Sequence, residues 1–130
     1  MKTKCAVLAL VAVMSAGSVI AQDRLRPPNT VQCDRNHLTS FTGAVVKYQR
    51  NANGLDITVH TDFDTTESFH LRGTKSELEG QFLIGRQRFK PADWKRIESS
   101  PKHLKANMRA TAWVCEQPQS VIVEWEAPKE

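Results

Sequence analysis

The chain has 130 residues, of which 40% are hydrophobic, 25% charged and only 7% aromatic. Its 18 Lys and Arg residues against 14 Asp and Glu residues give a formal net charge of +4. These values are typical of a globular domain with one core, and they exclude a disordered chain, a fibrous repeat and a multi-pass membrane protein.

Residues 1–21 have the features of a secretory signal peptide. Two lysines precede an apolar run that ends at Met14, and small residues leading to Ala21 match a cleavage site. The apolar run is about half the ~20 residues that a membrane-spanning helix requires. We therefore expect a periplasmic or secreted protein whose mature chain has no transmembrane segment. Cleavage leaves 16 basic against 14 acidic residues, a net charge of +2 that argues against nucleic acid as the partner.

The mature chain keeps two cysteines, Cys33 near its start and Cys115 near its end. Two cysteines in an exported domain usually form one disulfide bond. A pair of thiols or metal ligands is the alternative, but neither cysteine has a second ligand at the close spacing typical of zinc sites. The sequence therefore predicts a Cys33–Cys115 disulfide.

The predicted elements begin after an extended N-terminal arm over residues 22–32, which precedes a single domain over residues 33–130. Residues 38–50 are rich in Thr, Val and aromatics and predict a long strand, which Gly43 should bend or bulge. A turn at residues 51–54 leads into residues 55–63, where apolar and polar side chains alternate strictly.

A hairpin partner for this strand is predicted over residues 67–71, followed by a polar loop that includes one helical turn. Residues 81–90 contain an apolar patch and predict a short strand. Residues 91–98 begin with a proline and place Trp94 and Ile97 on one face, which predicts a short helix. Two further strands are predicted over residues 108–115 and 121–126.

This order resembles that of the OB-fold, a small barrel with a long bent first strand and a helix between its third and fourth strands. The resemblance implies a mainly β fold: a five- to six-stranded OB-like barrel with one short helix. An SH3-like barrel and a small sandwich are the alternatives.

No catalytic motif is present, neither a nucleophile elbow, nor a phosphate-binding loop, nor a zinc-protease helix. The sequence therefore predicts a protein that is not an enzyme and that needs no cofactor. His60 and His70 are weak candidates for a metal site, because both should point outward from one hairpin, beside acidic residues. Two solvated histidines are the alternative.

Charge is distributed unevenly along the chain. Residues 56–79 carry a net charge of −4, whereas residues 86–109 carry +6. Such a segment can steer an anionic partner, or it can pair with the acidic hairpin. The candidate binding residues are its eight cations: Arg86, Arg88, Lys90, Lys95, Arg96, Lys102, Lys105 and Arg109.

Trp113 joins this list because the smaller side chains of its strand could line the core and leave the indole exposed. Exposed aromatics beside basic residues are typical of proteins that bind oligosaccharides or single-stranded nucleic acids. Packing of Trp113 beside the disulfide is the alternative.

These observations favour an exported, non-enzymatic binding module that recognises another protein or an anionic envelope component through residues 86–109. An OB-type oligosaccharide- or nucleic-acid-binding domain is the second hypothesis, and a periplasmic metal-binding protein is the third.

Overall fold

A computed structural model describes residues 26–128, and strands make up 52% of them. The predicted signal peptide and residues 22–25 lie outside the described residues. The strands are β1 (Leu38–Asn51), β2 (Gly54–Thr61), β3 (Thr66–Arg72), β4 (Phe82–Ile84), β5 (Gln87–Arg88), β6 (Glu98–Ser100), β7 (His103–Leu104), β8 (Arg109–Glu116) and β9 (Gln119–Trp125). The helices are α1 (Lys75–Glu79) and α2 (Trp94–Ile97), with short 3-10 turns at Arg35–His37 and Pro91–Asp93.

The long strand β1 organises the sheet by pairing with a different neighbour on each side. Its first half runs antiparallel to β8, its second half runs antiparallel to β2, and Gly43 takes part in both pairings. A Cβ at Gly43 would lie 2.0 Å from the carbonyl oxygen of His60, so only glycine allows this close approach. The strand has an irregularity, but it lies between Val45 and Lys47 and not at Gly43, where it was predicted.

Seven strands form one sheet in the order β3-β2-β1-β8-β9-β4-β5, and β6 and β7 form a separate hairpin. The mainly β class is confirmed, and the structure has two short α-helices where one was expected. Closure into an OB-like barrel is not confirmed. Within residues 26–128, β3 and β5 lie at opposite edges of the sheet and do not pair with each other, because the short β4 and β5 extend the sheet beyond β9.

The core lies against one face of this sheet and is closed by the two helices. Leu55, Ile57 and Val59 of β2 are at most 1% exposed, as their alternation predicted. Phe63 continues the same alternation in sequence but is 87% exposed, because the chain leaves the strand at Thr61 and turns. Trp125 lies fully buried at the centre, with edge-on contacts to Phe82 and Tyr48.

The disulfide between Cys33 and Cys115 is present, with 6.0 Å between the two Cα atoms. It joins the segment before β1 to the end of β8, the strand that pairs with it. The predicted arm is not extended throughout, since the N–H of Val31 donates to the carbonyl of Pro28 in a tight turn and Pro28 is buried.

Candidate functional site

A buried polar cluster joins β1 to β6. Tyr48 and Arg50 are two positions apart in β1 and so point to the same face. The Arg50 guanidinium donates two hydrogen bonds to the Glu98 carboxylate, at 2.7 and 2.8 Å. The Tyr48 hydroxyl donates a third, and the backbone N–H of Lys102 a fourth at 3.1 Å. The paired side chains of Arg50 and Glu98 are only 7% and 5% exposed.

The protonation of this cluster follows from its hydrogen bonds. Burial favours the neutral carboxyl of Glu98, but the bonds from Arg50, Tyr48 and Lys102 outweigh it and lower its pKa. The bond to Glu98 raises the pKa of Arg50, and burial together with Glu98 raises the pKa of Tyr48. Glu98 is therefore ionised, Arg50 charged and Tyr48 protonated at neutral pH. Such a cluster anchors the β6–β7 hairpin to β1.

A cleft of about 590 Å³ opens above this cluster. Trp94 of α2 forms part of its wall, and two cations lie against the indole ring. The Arg50 Cζ atom is 4.8 Å from the ring centroid, and the Lys75 Nζ atom is 5.4 Å from it. Both distances are in the range of cation–π contacts. Pro91 and Pro101 add apolar surface, and Ser99 and Ser100 add hydroxyl groups to the lining.

Three lysines from different parts of the chain converge on this cleft. Lys75 is the first residue of α1, which begins with a capping box between Thr74 and Glu77. Lys95 lies in α2. Lys105 is held beside α2 because the backbone N–H of Lys105 donates to the carbonyl of Ile97 at 2.7 Å. Among residues 26–128, none of the three ammonium groups has a carboxylate oxygen within 4.0 Å. The cleft is thus a positively charged concavity.

The other cations of the predicted basic segment are placed elsewhere. Arg96 pairs with Asp93 at 3.2 Å, and Arg109 pairs with Asp62 at 2.6 Å and with Glu126 at 3.3 Å. The Arg109–Asp62 pair links the basic segment to the acidic hairpin, and the bond to Asp62 raises the pKa of Arg109.

The remaining cations of that segment do not line the cleft either. Arg86 donates to the carbonyl of Arg26, Arg88 lines a separate pocket, and Lys90 precedes the 3-10 turn at Pro91–Asp93. Lys102 lies at the tip of the β6–β7 hairpin. The structure therefore brings Lys95 and Lys105 together and disperses the rest.

The expectation that Trp113 is exposed is wrong. Its side chain is only 3% exposed, and its indole N–H donates to Glu124 at 3.0 Å. Four successive residues of β8, from Ala110 to Trp113, are buried, so both faces of the strand are covered there. Trp113 therefore offers no open ring face for stacking.

The register of the β2–β3 hairpin separates the two histidines. His70 faces Asp56 and His60 faces Thr66, so the imidazoles are not directly opposite each other. His70 contacts Asp56, and His60 Nε2 lies 3.2 Å from Asp64. Within residues 26–128, no three His, Cys, Asp or Glu side chains are grouped to hold a metal ion.

Lys75 and the Tyr48–Arg50–Glu98 cluster are the site residues that sequence reasoning missed. Lys75 lies in residues 56–79, whose net charge is negative, so a comparison of net charge between segments does not select it as a binding residue. The capping-box pattern at Thr74 and Glu77 would have predicted the start of a helix and placed Lys75 in its first turn. Nothing in the sequence indicates that Glu98 meets Arg50.

Comparisons with known proteins add no identification: no family model, curated protein or solved structure gives a significant match to this chain. None of the helices within residues 26–128 is long and apolar enough to cross a membrane.

Proposed function

We propose that this protein is an exported, non-enzymatic binding module that recognises an anionic group on an envelope component or on another protein. The predicted signal peptide and the disulfide support export. The observation that carries the binding proposal is the convergence of Lys75, Lys95 and Lys105 on one cleft without carboxylate partners in the described part of the chain.

The physical argument for an anionic ligand is electrostatic. Like charges held in one concavity repel each other, and a solvated surface does not require such an arrangement. The one carboxylate in the lining, Glu98, is already neutralised by Arg50. A concavity lined by one sign of charge concentrates field lines and attracts ligands of the opposite sign. An anion would therefore be stabilised by all three lysines.

The test is an NMR titration of the folded protein with two probe anions, galacturonate and inorganic phosphate. We expect amide shifts around the cleft, and at least about tenfold weaker binding in the double variant Lys75→Gln, Lys95→Gln. The matched control is Arg88→Gln, Lys90→Gln, which removes two exposed cations outside the cleft and should leave binding within about twofold. Equal loss in both variants, or no loss in the first, would contradict the proposal.

An OB-type binding module for oligosaccharides or nucleic acids is the second candidate function. The apolar rings of Pro91 and Pro101 in the same cleft favour its oligosaccharide form, because sugars pack their C–H faces on such surfaces. The nucleic-acid form is weaker, since base stacking requires open aromatic faces and both Trp94 and Trp113 are at most 5% exposed.

A further inference from the structure

A second groove borders the same hairpin. It has a volume of about 290 Å³ and lies between the bulged part of β1 and the segment that follows β6. Its cations are Lys47 at the bulge, Lys102 at the hairpin tip and Lys105, with His103 beside them, and no carboxylate contributes to its lining. Lys105 lines both this groove and the cleft next to Trp94. The two concavities therefore share a cation, and we refer to them together as the basic path.

The backbone at the hairpin tip is held in an uncommon conformation. Lys102 has φ 70°, in the left-handed region that favours glycine or asparagine at this position of a turn after proline. The strain is offset by the hydrogen bond from its N–H to Glu98. Because the backbone is fixed in this way, the lysine side chain starts from a fixed point in the lining of the second groove.

We propose that these two concavities bind one linear polyanionic saccharide, a chain with a carboxylate, sulfate or phosphate group on its repeating unit, which passes Lys105. This inference rests on the proposed function and specifies its ligand. The cations are spread over two grooves, so a small anion would meet only part of them, whereas a chain with regularly spaced charges meets all of them. Each added contact within one chain is intramolecular and raises the overall affinity.

The shape and chemistry of the path favour a saccharide over the other anionic polymers. A groove accepts a single chain, in contrast to the flat surface expected for a folded acidic protein. Ser99 and Ser100 supply hydroxyl groups, and Pro91 and Pro101 supply apolar rings, which together match the mixed faces of a sugar. Trp94 is only 5% exposed, so stacked nucleobases would find no open ring there.

The experiment compares oligogalacturonates of two and of eight units by calorimetric titration of the folded protein. We expect the octamer to bind at least about tenfold more tightly than the dimer, with an affinity that falls steeply as salt rises. In the variant Lys47→Gln, Lys102→Gln, the octamer should lose about tenfold in affinity while the dimer changes by less than about twofold. The control Arg88→Gln, Lys90→Gln should keep both affinities.

Each alternative has its own outcome in the same titrations. Equal affinity for dimer and octamer, with both weakened by Lys75→Gln, Lys95→Gln, would overturn the two-groove inference and leave the proposed function standing. Absence of binding by either oligomer and by inorganic phosphate would overturn both. An octaglutamate peptide or an oligothymidylate that binds as tightly as the octamer would overturn the saccharide class, as would equally tight binding of neutral maltooctaose.

Discussion

At the scale of single residues, Glu98 is important for stability because it holds a buried ion pair. Its carboxylate is the only acceptor described for the Arg50 guanidinium, and both side chains are nine-tenths buried. Replacing Glu98 by Gln leaves a buried cation without its counter-charge, which costs about 3–5 kcal/mol. Urea unfolding near neutral pH measures this loss. The control Glu116→Gln, an exposed carboxylate, should change stability by less than about 0.5 kcal/mol.

The lowered pKa of Glu98 also predicts a pH dependence. A carboxyl whose pKa is lower in the folded than in the unfolded protein stabilises the fold above its ordinary pKa, and this stabilisation is lost as the pH falls through the folded value. The wild-type free energy of unfolding should therefore decrease as the pH falls below about 5. The decrease should be smaller in Glu98→Gln. An identical slope in both proteins would contradict the assignment.

At the scale of elements, β1 depends on one residue without a side chain. Because a Cβ at Gly43 would meet the backbone of β2, which cannot move aside, Gly43→Ala should destabilise the protein by about 1–3 kcal/mol. The matched control is Gly80→Ala at the end of α1, where the nearest atom to a new Cβ is 3.4 Å away. Thermal unfolding of both variants makes the comparison. Equal melting temperatures would show that β1 and β2 can separate to admit a methyl group.

The β2–β3 hairpin predicts opposite tolerance at adjacent positions. Val59 is fully buried and His60 is exposed, so Val59→Asp should prevent folding while His60→Asn should be nearly silent. Circular dichroism and exclusion chromatography of the two variants distinguish them. Comparable damage by both would refute the assignment of faces.

Periodicity predicted these faces well where a strand has one dry and one wet side, as in β2. It failed where that contrast is absent. Trp113 belongs to a central strand that is covered on both faces. The alternation of large and small side chains along this strand therefore does not predict which of them are exposed. Phe63 continues the pattern of β2 beyond the point where the chain turns, and Asp64 in that turn has φ 64°. Sequence periodicity does not report where a strand ends.

At the scale of the whole molecule, the site depends on contacts between distant segments. Lys75 and Lys105 are far apart in sequence and on opposite sides of the predicted charge boundary, yet they line one cleft. The basic segment contributes Lys95 and Lys105 to the lining of this cleft. It also included Arg96, which pairs with Asp93 three positions earlier, and Arg109, whose partner Asp62 is distant in sequence and is brought to it by the fold of the sheet.

The disulfide should contribute a large part of the stability. Cys33 and Cys115 are separated by 82 positions, and in the chain-entropy model such a cross-link stabilises by about 4.5 kcal/mol at most. We expect Cys33→Ser to lower the melting temperature by at least about 10 °C. Reduction of the wild-type protein should reproduce that shift. A variant that melts within about 2 °C of the oxidised wild type would contradict it.

The same cross-link determines how the chain responds to mechanical tension. A pull between residues 26 and 128 passes along the covalent chain from Cys33 to Cys115, so the segment between them cannot be extended while the bond is intact. Only the arm, β9 and the residues after it can then be drawn out. Reduction of the bond releases up to roughly 280 Å of additional contour length. A reductant therefore converts a short tether into a much longer one, without any change in amino-acid sequence.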